Sequence, residues 1–268
     1  MALFQRLIWG ALAVAVLLGS VQTALQQWQA VPIILAAETF EAQKAAPVAA
    51  VGHVHDHNDH DHGEANAHAH SHEAHEDSGH DWAPADGLER TTWTWVANLL
   101  HVFSLALLMF AVMGLWVWRR GATQAPLRLG FVVAAAGWLS LHLWPSLGLP
   151  AEVPGMDAAS LGSRQGWWLL AASCSALACA SAASLRTHWR WLASAAWLAV
   201  PFIWGAPQFA GDPAAGFRAD AQAQLHKLGA HFIWVTGVIA LTLWAGLGAG
   251  CGLVFQRWLQ PLMVGAKT

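Results

Sequence analysis

The residues best suited to chemistry form one histidine-rich tract, residues 53–80, which reads HVHDHNDHDHGEANAHAHSHEAHEDSGH. The tract holds ten of the fifteen histidines, and carboxylates are interleaved from Asp56 to Asp81. No Lys or Arg occurs between Lys44 and Arg90 to compete with a cation. Neutral imidazoles and carboxylates without competing cations form a surface for divalent transition metals. The predicted ligands in the tract are His53, His55, His57, His60, His62, His68, His70, His72, His75, His80, Asp56, Asp59 and Asp61.

The tract lacks the fixed ligand spacing of a zinc finger or an EF-hand. Residues 45–90 are also too polar to bury a core, which predicts a disordered loop carrying several weak, exchanging metal sites. The affinity of such sites should fall as the pH drops through about 6.5, because protonated imidazole cannot ligate. Co, Ni, Cu and Zn all suit these ligands. The alternative interpretation is a solvated linker that binds no metal.

Acidic residues beside the tract extend the set of candidate ligands. Glu38 and Glu41 are three residues apart and share a helix face, where they could receive a cation from the tract. A solvated helix end is the alternative. Further along the chain, Pro150, Pro154 and Gly155 should stiffen a loop that holds two more candidates, the carboxylate of Glu152 and the thioether of Met156. Simple structural pinning of that loop is the alternative.

Polar side chains inside apolar segments form a third group of candidates. Ionisable groups in a membrane usually face a bundle interior or a water-filled path, although a single histidine can also serve as a hydrogen bond between helices. Four histidines near the outer ends of the predicted spans could converge on one imidazole-lined site: His101, His142, His226 and His231. Four amides could supply neutral oxygen ligands to the same cavity: Gln22, Gln26, Asn98 and Gln208.

The elements that must position these residues are membrane helices. The chain is 56% hydrophobic and only 11% charged, whereas soluble domains carry about 25% charged residues. A crossing helix needs about 20 apolar residues. Six spans are predicted, of which the fifth is marginal because it is short and contains Pro201: Leu7–Leu25, Trp93–Trp118, Leu129–Leu147, Trp167–Leu185, Trp189–Gly205 and Leu228–Phe255. The predicted fold is an all-α, polytopic integral membrane protein. Small residues in the fourth and sixth spans predict central packing helices.

Charge predicts the orientation of these spans. With six crossings and a cytoplasmic N-terminus, eight of the thirteen basic residues lie inside, and all sixteen acidic residues lie outside. This arrangement follows the positive-inside rule. It predicts an inner (plasma) membrane protein with both termini cytoplasmic and the tract on the periplasmic or extracellular side. The predicted regions are 1–44, a first span with an acidic extension; 45–90, the tract loop; and 91–268, the remaining bundle. Cleavage of the first segment as a signal peptide stays open.

Several functional classes are disfavoured by what the sequence lacks. No nucleophile–base pair, P-loop or dinucleotide fingerprint occurs, so we expect neither an enzyme nor a chain that hydrolyses ATP. There is no basic patch, so nucleic acid is not an expected partner. No permanently bound cofactor is expected either. The expected partners are the lipid bilayer and a divalent metal ion that is cargo rather than cofactor.

Four stretches together resemble the CbtA family of predicted cobalt transporter subunits over nearly the whole chain. They are LQQWQAVPIILAAETFE (25–41), DWAPADGLERT (81–91), LGLPAEVPGMDAASLGSRQGWW (147–168) and WGAPQ (204–208). The resemblance implies cobalt uptake linked to cobalamin synthesis, beside a small His-rich single-span subunit, CbtB. It also implies recurring positions at Glu38, Glu41, Glu89, Arg90, Glu152, Pro154, Gly155, Met156, Arg164, Gln165 and Gln208.

The resulting hypothesis is the membrane subunit of a divalent-metal importer, with the tract capturing metal. Co²⁺ is the first candidate cargo on the resemblance alone, and Ni²⁺ or Zn²⁺ are alternatives. Glu38, Glu41 and Glu152 would attract the ion, and intramembrane histidines would replace part of its water. The alternative is a membrane metal-binding or chaperone module that delivers metal to a partner without its own path. An exporter or sensor is a third hypothesis.

Overall fold

The computed structural model describes residues 2–45, 84–85, 87–185 and 188–265. Within these ranges the chain is helical apart from short connections and contains no strand, so the all-α prediction is confirmed there. The helices are α1 (Ala2–Leu25), α2 (Val31–Ala45), α3 (Leu88–Arg120), α4 (Pro126–Trp138), α5 (Trp144–Gly148), α6 (Leu161–Ser184), α7 (Trp189–Trp204), α8 (Ala219–Val254) and α9 (Gln260–Gly265). In the described ranges, three π-helical turns join some of them: Gln26–Ala30, Leu139–Leu143 and Phe255–Leu259.

Among the described residues, five helical segments are long and apolar enough to cross a bilayer: Leu3–Phe40, Leu88–Arg120, Pro126–Gly148, Leu161–Ser184 and Ala219–Met263. They contain five of the six predicted spans to within one residue and indicate a polytopic membrane protein. The marginal fifth predicted span, Trp189–Gly205, forms α7. With 16 residues, α7 is about 24 Å long, shorter than the roughly 30 Å hydrocarbon core.

Helix α7 nevertheless runs antiparallel to α6 along most of its length. Near the start of α7, Ser194 Oγ donates to the Ala178 carbonyl, 2.8 Å away. Near its end, Trp167 Nε1 donates to the Pro201 carbonyl at 3.0 Å. The two helices therefore form a hairpin, and the Pro201 carbonyl accepts both from the Trp167 indole and from the backbone N–H of Gly205. Whether α7 crosses a membrane stays a prediction.

The two ends of the bundle differ sharply in charge. At the tract end, the chain leaves the described structure at Ala45 and returns at Pro84, and all the acidic residues of the described ranges lie at this end. At the opposite, arginine end lie Arg6, Arg119, Arg120, Arg128, Arg190 and Arg257. The predicted separation of charge therefore exists in the fold. Which side of a membrane each end faces stays a prediction.

Glycines let α8 pack closely against two other helices. Gly246 and Gly250 approach Leu18 and Val14 of α1. Gly248 and Gly252 lie on the neighbouring face toward α4, where a Cβ on Gly130 would come within 2.5 Å of the Gly248 carbonyl oxygen. Backbones can approach this closely only where side chains are absent. The structure thus supports a central packing role for the last predicted span.

A separate apolar cluster at the tract end fixes the loops there. Ile33 and Ala37 of α2 are buried in it beside Val153. Phe40 meets Phe217 edge to face, with 6.5 Å between ring centroids. The backbone N–H of Asp157 donates to the carbonyl of Pro213, 2.7 Å away, which joins loops 149–160 and 205–218. These loops and α2 form one packed layer over the tract end.

Candidate functional site

A cavity of about 590 Å³ opens in the tract-end half of the bundle between α1, α3, α6 and α8. We call it the tract-end cavity. Its polar lining residues are Gln22, Gln26, Arg90, Thr94, Asn98, His101, His142 and Thr236. Four of the predicted intramembrane ligands, Gln22, Gln26, Asn98 and His101, thus share one space with His142. The remaining wall is apolar, so a cation there would interact mainly with imidazole and amide groups.

Two of the three π-helical turns lie on this cavity. The turn Gln26–Ala30 contributes Gln26 and Ala30, and the turn Leu139–Leu143 contributes Leu141 and His142. A π-helical turn holds more residues than an α-helical turn, so it changes which side chains face a neighbour, and such turns are frequent at functional sites. The third turn, Phe255–Leu259, does not line the cavity.

Asn98 is hydrogen-bonded to neighbouring polar side chains on the amide-lined side of the cavity. Its Nδ2 donates to Thr23 Oγ1 at 2.9 Å and to Gln26 Oε1 at 2.7 Å. Gln22 Nε2 donates to the carbonyl of Ile239 on α8 at 3.3 Å. These bonds connect α1, α3 and α8 and hold the amides in place. The Asn98 Oδ1 accepts no hydrogen bond within the described residues, so it is available as a neutral oxygen ligand.

The imidazoles of His101 and His142 are the chemically open groups of the cavity. Neither makes a hydrogen bond or an ion pair within the described part of the chain. A neutral imidazole offers a nitrogen to a borderline divalent metal, and an amide oxygen or water can complete the coordination. In the described residues no group of three or more His, Cys, Asp or Glu side chains could hold a metal ion. The arrangement thus provides two imidazoles rather than a closed metal cage.

An ion pair stands at the mouth of the cavity. Arg90 Nη2 lies 2.8 Å from Glu38 Oε1, and both side chains are about one-third exposed. This pair links α2 to α3. Glu38 was predicted to attract the incoming cation, but its charge is largely compensated by Arg90, so a role in pinning α2 to α3 fits the structure better.

Glu152 is compensated in the same way. Its Oε2 lies 2.7 Å from Arg164 Nη2, which fastens loop 149–160 to the start of α6. Met156, predicted as a thioether ligand, packs with the apolar cluster at the tract end. Its sulfur lies 3.5 Å from the position of a Cβ on Gly229. Both residues therefore stabilise the loop layer, which is the alternative role that the sequence left open.

The remaining two predicted histidines lie outside the tract-end cavity. His226 Nε2 lies 3.0 Å from Asp212 Oδ1, and both are about half exposed. The backbone N–H of Ala214 also donates to Asp212 Oδ1, and this bond, together with His226, lowers the pKa of Asp212 below 3.8 against the opposing effect of burial. His231 is exposed. The four histidines predicted to converge are therefore divided, and only His101 and His142 share a cavity.

Other predicted ligands cannot be compared with the structure. The tract ligands from His53 to His80, with Asp56, Asp59 and Asp61, lie outside the described residues. The side chain of Glu41 is likewise not among the side chains that the structure describes. Gln208, the fourth amide, is exposed on loop 205–218 and does not line the cavity.

The sequence carried a signal for cavity residues that were not predicted, such as Thr94 and Leu105. Arg90, Thr94, Asn98, His101 and Leu105 follow one another at intervals of four, four, three and four along α3, and all five line the cavity. That is the spacing of one helix face. Because Arg90 and Thr94 lie at a helix start where polar residues are ordinary, the stripe is visible only when it is followed inward to His101.

A thin wall closes the inner side of the cavity. Leu141 and Trp244 line the tract-end cavity and also line a second cavity toward the arginine end. The Trp244 ring packs directly on Gly137, where a Cβ would come within 2.2 Å of it. These two side chains therefore separate the two cavities.

The profile of one protein family, described as probable cobalt transporter subunit (CbtA), matches residues 4–256. The match covers nearly the whole chain, including every described residue of the tract-end cavity, and it confirms the resemblance seen in the four stretches. No curated protein and no solved structure matches the chain.

Proposed function

Because this chain belongs to the CbtA family of probable cobalt transporter subunits, we propose that it is the membrane subunit of an importer whose cargo is Co²⁺. The observation that carries the proposal is the pair of unpartnered imidazoles, His101 and His142, in one cavity that opens toward the tract end. Imidazole also suits Ni²⁺ and Zn²⁺, which are the alternative cargoes.

Capture and transfer have separate residues in this proposal. The His/Asp tract raises the concentration of metal at the tract end. The ion then passes the Arg90–Glu38 pair and exchanges some of its water for His101 and His142, with Asn98 and Gln26 as oxygen ligands. No carboxylate lines the cavity within the described residues. Binding without charge neutralisation is weak, and weak binding suits a site that must release its cargo.

Release toward the arginine end requires movement of Leu141 and Trp244, which separate the two cavities. A membrane potential, negative on the inside, would draw a dication inward with roughly 4–5 kcal/mol per 100 mV. That energy is comparable to the cost of displacing a few packed side chains. The importing direction rests on the predicted orientation of the tract.

A second candidate is a binding module that passes metal to a partner without a path of its own. The closed wall of Leu141 and Trp244 favours it, as do Arg119 and Arg120 beyond the wall, because they repel a dication. A small His-rich single-span subunit would be the natural recipient under the family resemblance.

Uptake of radioactive cobalt into liposomes tests both candidates. The chain is reconstituted alone and together with the small single-span subunit, under an inside-negative potential, and cobalt bound to the protein is measured in parallel. Uptake by the chain alone that is lost in a His101→Ala/His142→Ala variant supports the importer. Cobalt binding without uptake in either preparation supports the binding module. Absence of both binding and uptake contradicts both.

A further inference from the structure

The second cavity, at the arginine end, has a different chemistry from the first. It is a half-open groove of about 450 Å³ between α3, α4 and α6. Its walls are aliphatic side chains of α3 and α4, including Leu108, Val112 and Val133. We call it the arginine-end cavity. It lies within the hydrocarbon depth, since it reaches from Trp244 to the last turn of α3.

One wall of this cavity is a face of small residues on α6. Ala176, Cys179, Ala180 and Ala183 follow the three-and-four spacing of a single helix face. Small residues in membrane helices normally mark where another helix packs closely, and the sequence predicted such a packing role for this helix. No described helix covers this part of α6, and the cavity stands in its place. Something other than the described chain must fill it in a bilayer.

Two arginines stand at the mouth of the cavity. Arg119 and Arg120 end α3 and both line it. Arg120 is held across the mouth, because its Nη2 donates to the Ala183 carbonyl and its guanidinium lies 4.7 Å from the centre of the Trp116 ring. No carboxylate of the described residues pairs with either arginine. Each guanidinium has five donors, so Arg120 keeps donors to spare.

We propose that the arginine-end cavity binds one anionic phospholipid, with an acyl chain between α3, α4 and α6 and the phosphate at Arg119 and Arg120. The charge at the mouth is complementary to a phosphodiester, and basic pockets between membrane helices bind anionic head groups. A metal cation is excluded by the same two charges. A partner helix packed over the small-residue face is the alternative outcome of the test.

Binding of defined lipids to the full chain tests this proposal without reference to metal transport. The purified protein in a neutral detergent is titrated with dioleoyl phosphatidylglycerol, with dioleoyl phosphatidylcholine and with inorganic phosphate, and bound lipid is counted by native mass spectrometry. We expect one retained phosphatidylglycerol that neither phosphatidylcholine nor inorganic phosphate displaces. Arg119→Gln should weaken its binding about fivefold, and Arg119→Gln/Arg120→Gln roughly 30-fold, since each surface arginine contributes about a factor of five.

A variant that changes the shape of the cavity without changing its charge provides an independent test. It is needed because Arg120 also donates a hydrogen bond to α6, so its replacement could disturb the fold. Ala180→Phe fills the cavity and leaves all charges in place, so it should abolish the retained lipid. The matched controls are Arg128→Gln at the same end and Leu177→Phe on the exposed face of α6, neither of which lines the cavity; both should bind lipid like the wild type. Equal retention in all variants would overturn the proposal. Displacement by inorganic phosphate would also overturn it, and so would protection of the cavity by an added single-span helix.

Discussion

His101 and His142 differ from the other described histidines in their surroundings. His226 is engaged by Asp212, His188 stacks on Trp189 at 5.7 Å, and His231 does not line the tract-end cavity. Among the described histidines, only His101 and His142 face a shared cavity and have no bonding partner. A histidine that bridges helices contributes about 0.6–2 kcal/mol to their association, and these two form no such bridge. Their placement is therefore explained better by a ligand than by helix packing.

Replacing His101 or His142 with Ala should weaken cobalt binding at least about tenfold, because even residues that only support metal ligands cost 10- to 100-fold. The melting temperature should stay nearly unchanged, since neither side chain forms a bond within the described protein. Isothermal titration and thermal unfolding in detergent measure the two effects. His231→Ala is the matched control and should bind like the wild type. Normal binding in both cavity variants, together with a lower melting temperature, would identify these histidines as structural.

Asp212 gives the tract end a pH dependence with a defined sign. Its pKa is lowered in the folded protein, so its stabilising effect is complete above the unfolded value of about 3.8 and is lost as the pH falls below it. We expect Asp212→Asn to lower the melting temperature at pH 6, and this difference from the wild type should shrink as the pH falls through the lowered pKa of Asp212. Asp220→Asn, at an exposed site 3.8 Å from Arg218, serves as the control. A constant difference between Asp212→Asn and wild type from pH 6 to pH 3 would contradict this assignment.

Among the elements, the long helices were predictable and their fine structure was not. Apolar runs predicted the five described segments that are long enough to cross a bilayer, and the α3 stripe from Arg90 to Leu105 has helical spacing. The π-helical turns could not be predicted, because LSLHL at 139–143 has ordinary helix-forming residues and the wide turn arises from packing. The arginine partners of Glu38 and Glu152 were also not fixed by sequence, because they depend on how α2 and loop 149–160 fold back over the bundle.

Close packing of α4 on α8 should depend on Gly130. A Cβ there would lie 2.5 Å from the Gly248 carbonyl, so Gly130→Ala forces two backbones apart and should lower the free energy of unfolding by about 1–3 kcal/mol. Gly237→Ala is the control, since Gly237 lies mid-way along the same α8 with open space around it. It should be neutral or stabilise by up to about 1 kcal/mol. Denaturant titrations of both variants measure these effects. Equal unfolding midpoints for Gly130→Ala and Gly237→Ala would contradict the packing argument.

At the scale of the whole molecule, the sign of the charged residues differs between the two ends of the bundle. Acidic residues and their arginine partners hold the tract end, whereas the arginine end has no described carboxylate. Such asymmetry orients a protein during insertion. If α7 crosses with the other five helices, both termini lie on the arginine side. If it did not, the two termini would lie on opposite sides, against the fold, in which α7 returns the chain to the tract end and both described termini lie at the arginine end.

Accessibility labelling distinguishes these topologies. Single cysteines at Ala122 and Ala215, in a variant without the three native cysteines, should be labelled from opposite sides of the membrane if α7 crosses. Ala122 should react from the cytoplasmic side, which the positive-inside rule assigns to Arg119, Arg120 and Arg128. Labelling of both positions from the same side would show that α7 does not cross.

Deletion of residues 53–80 should raise the half-saturating cobalt concentration for uptake more than it lowers the maximal rate. The tract supplies metal to the cavity but is not part of it, so saturating metal should bypass the loss. A replacement of the same length, with the ten histidines changed to Ser, separates the effect of ligands from that of loop length. Loss of uptake at saturating cobalt in both variants would contradict a collecting role.

The π-helical turns also make the tract-end cavity sensitive to chain length. Each residue advances a helix by 100°, so deleting one residue within Leu139–Leu143 to restore an α-helical turn would rotate His142 away from His101 without changing either side chain. The same holds for Gln26 in its own turn. In an alignment of related chains, a single-residue gap at either turn would therefore mark loss of the cavity even where both histidines are retained.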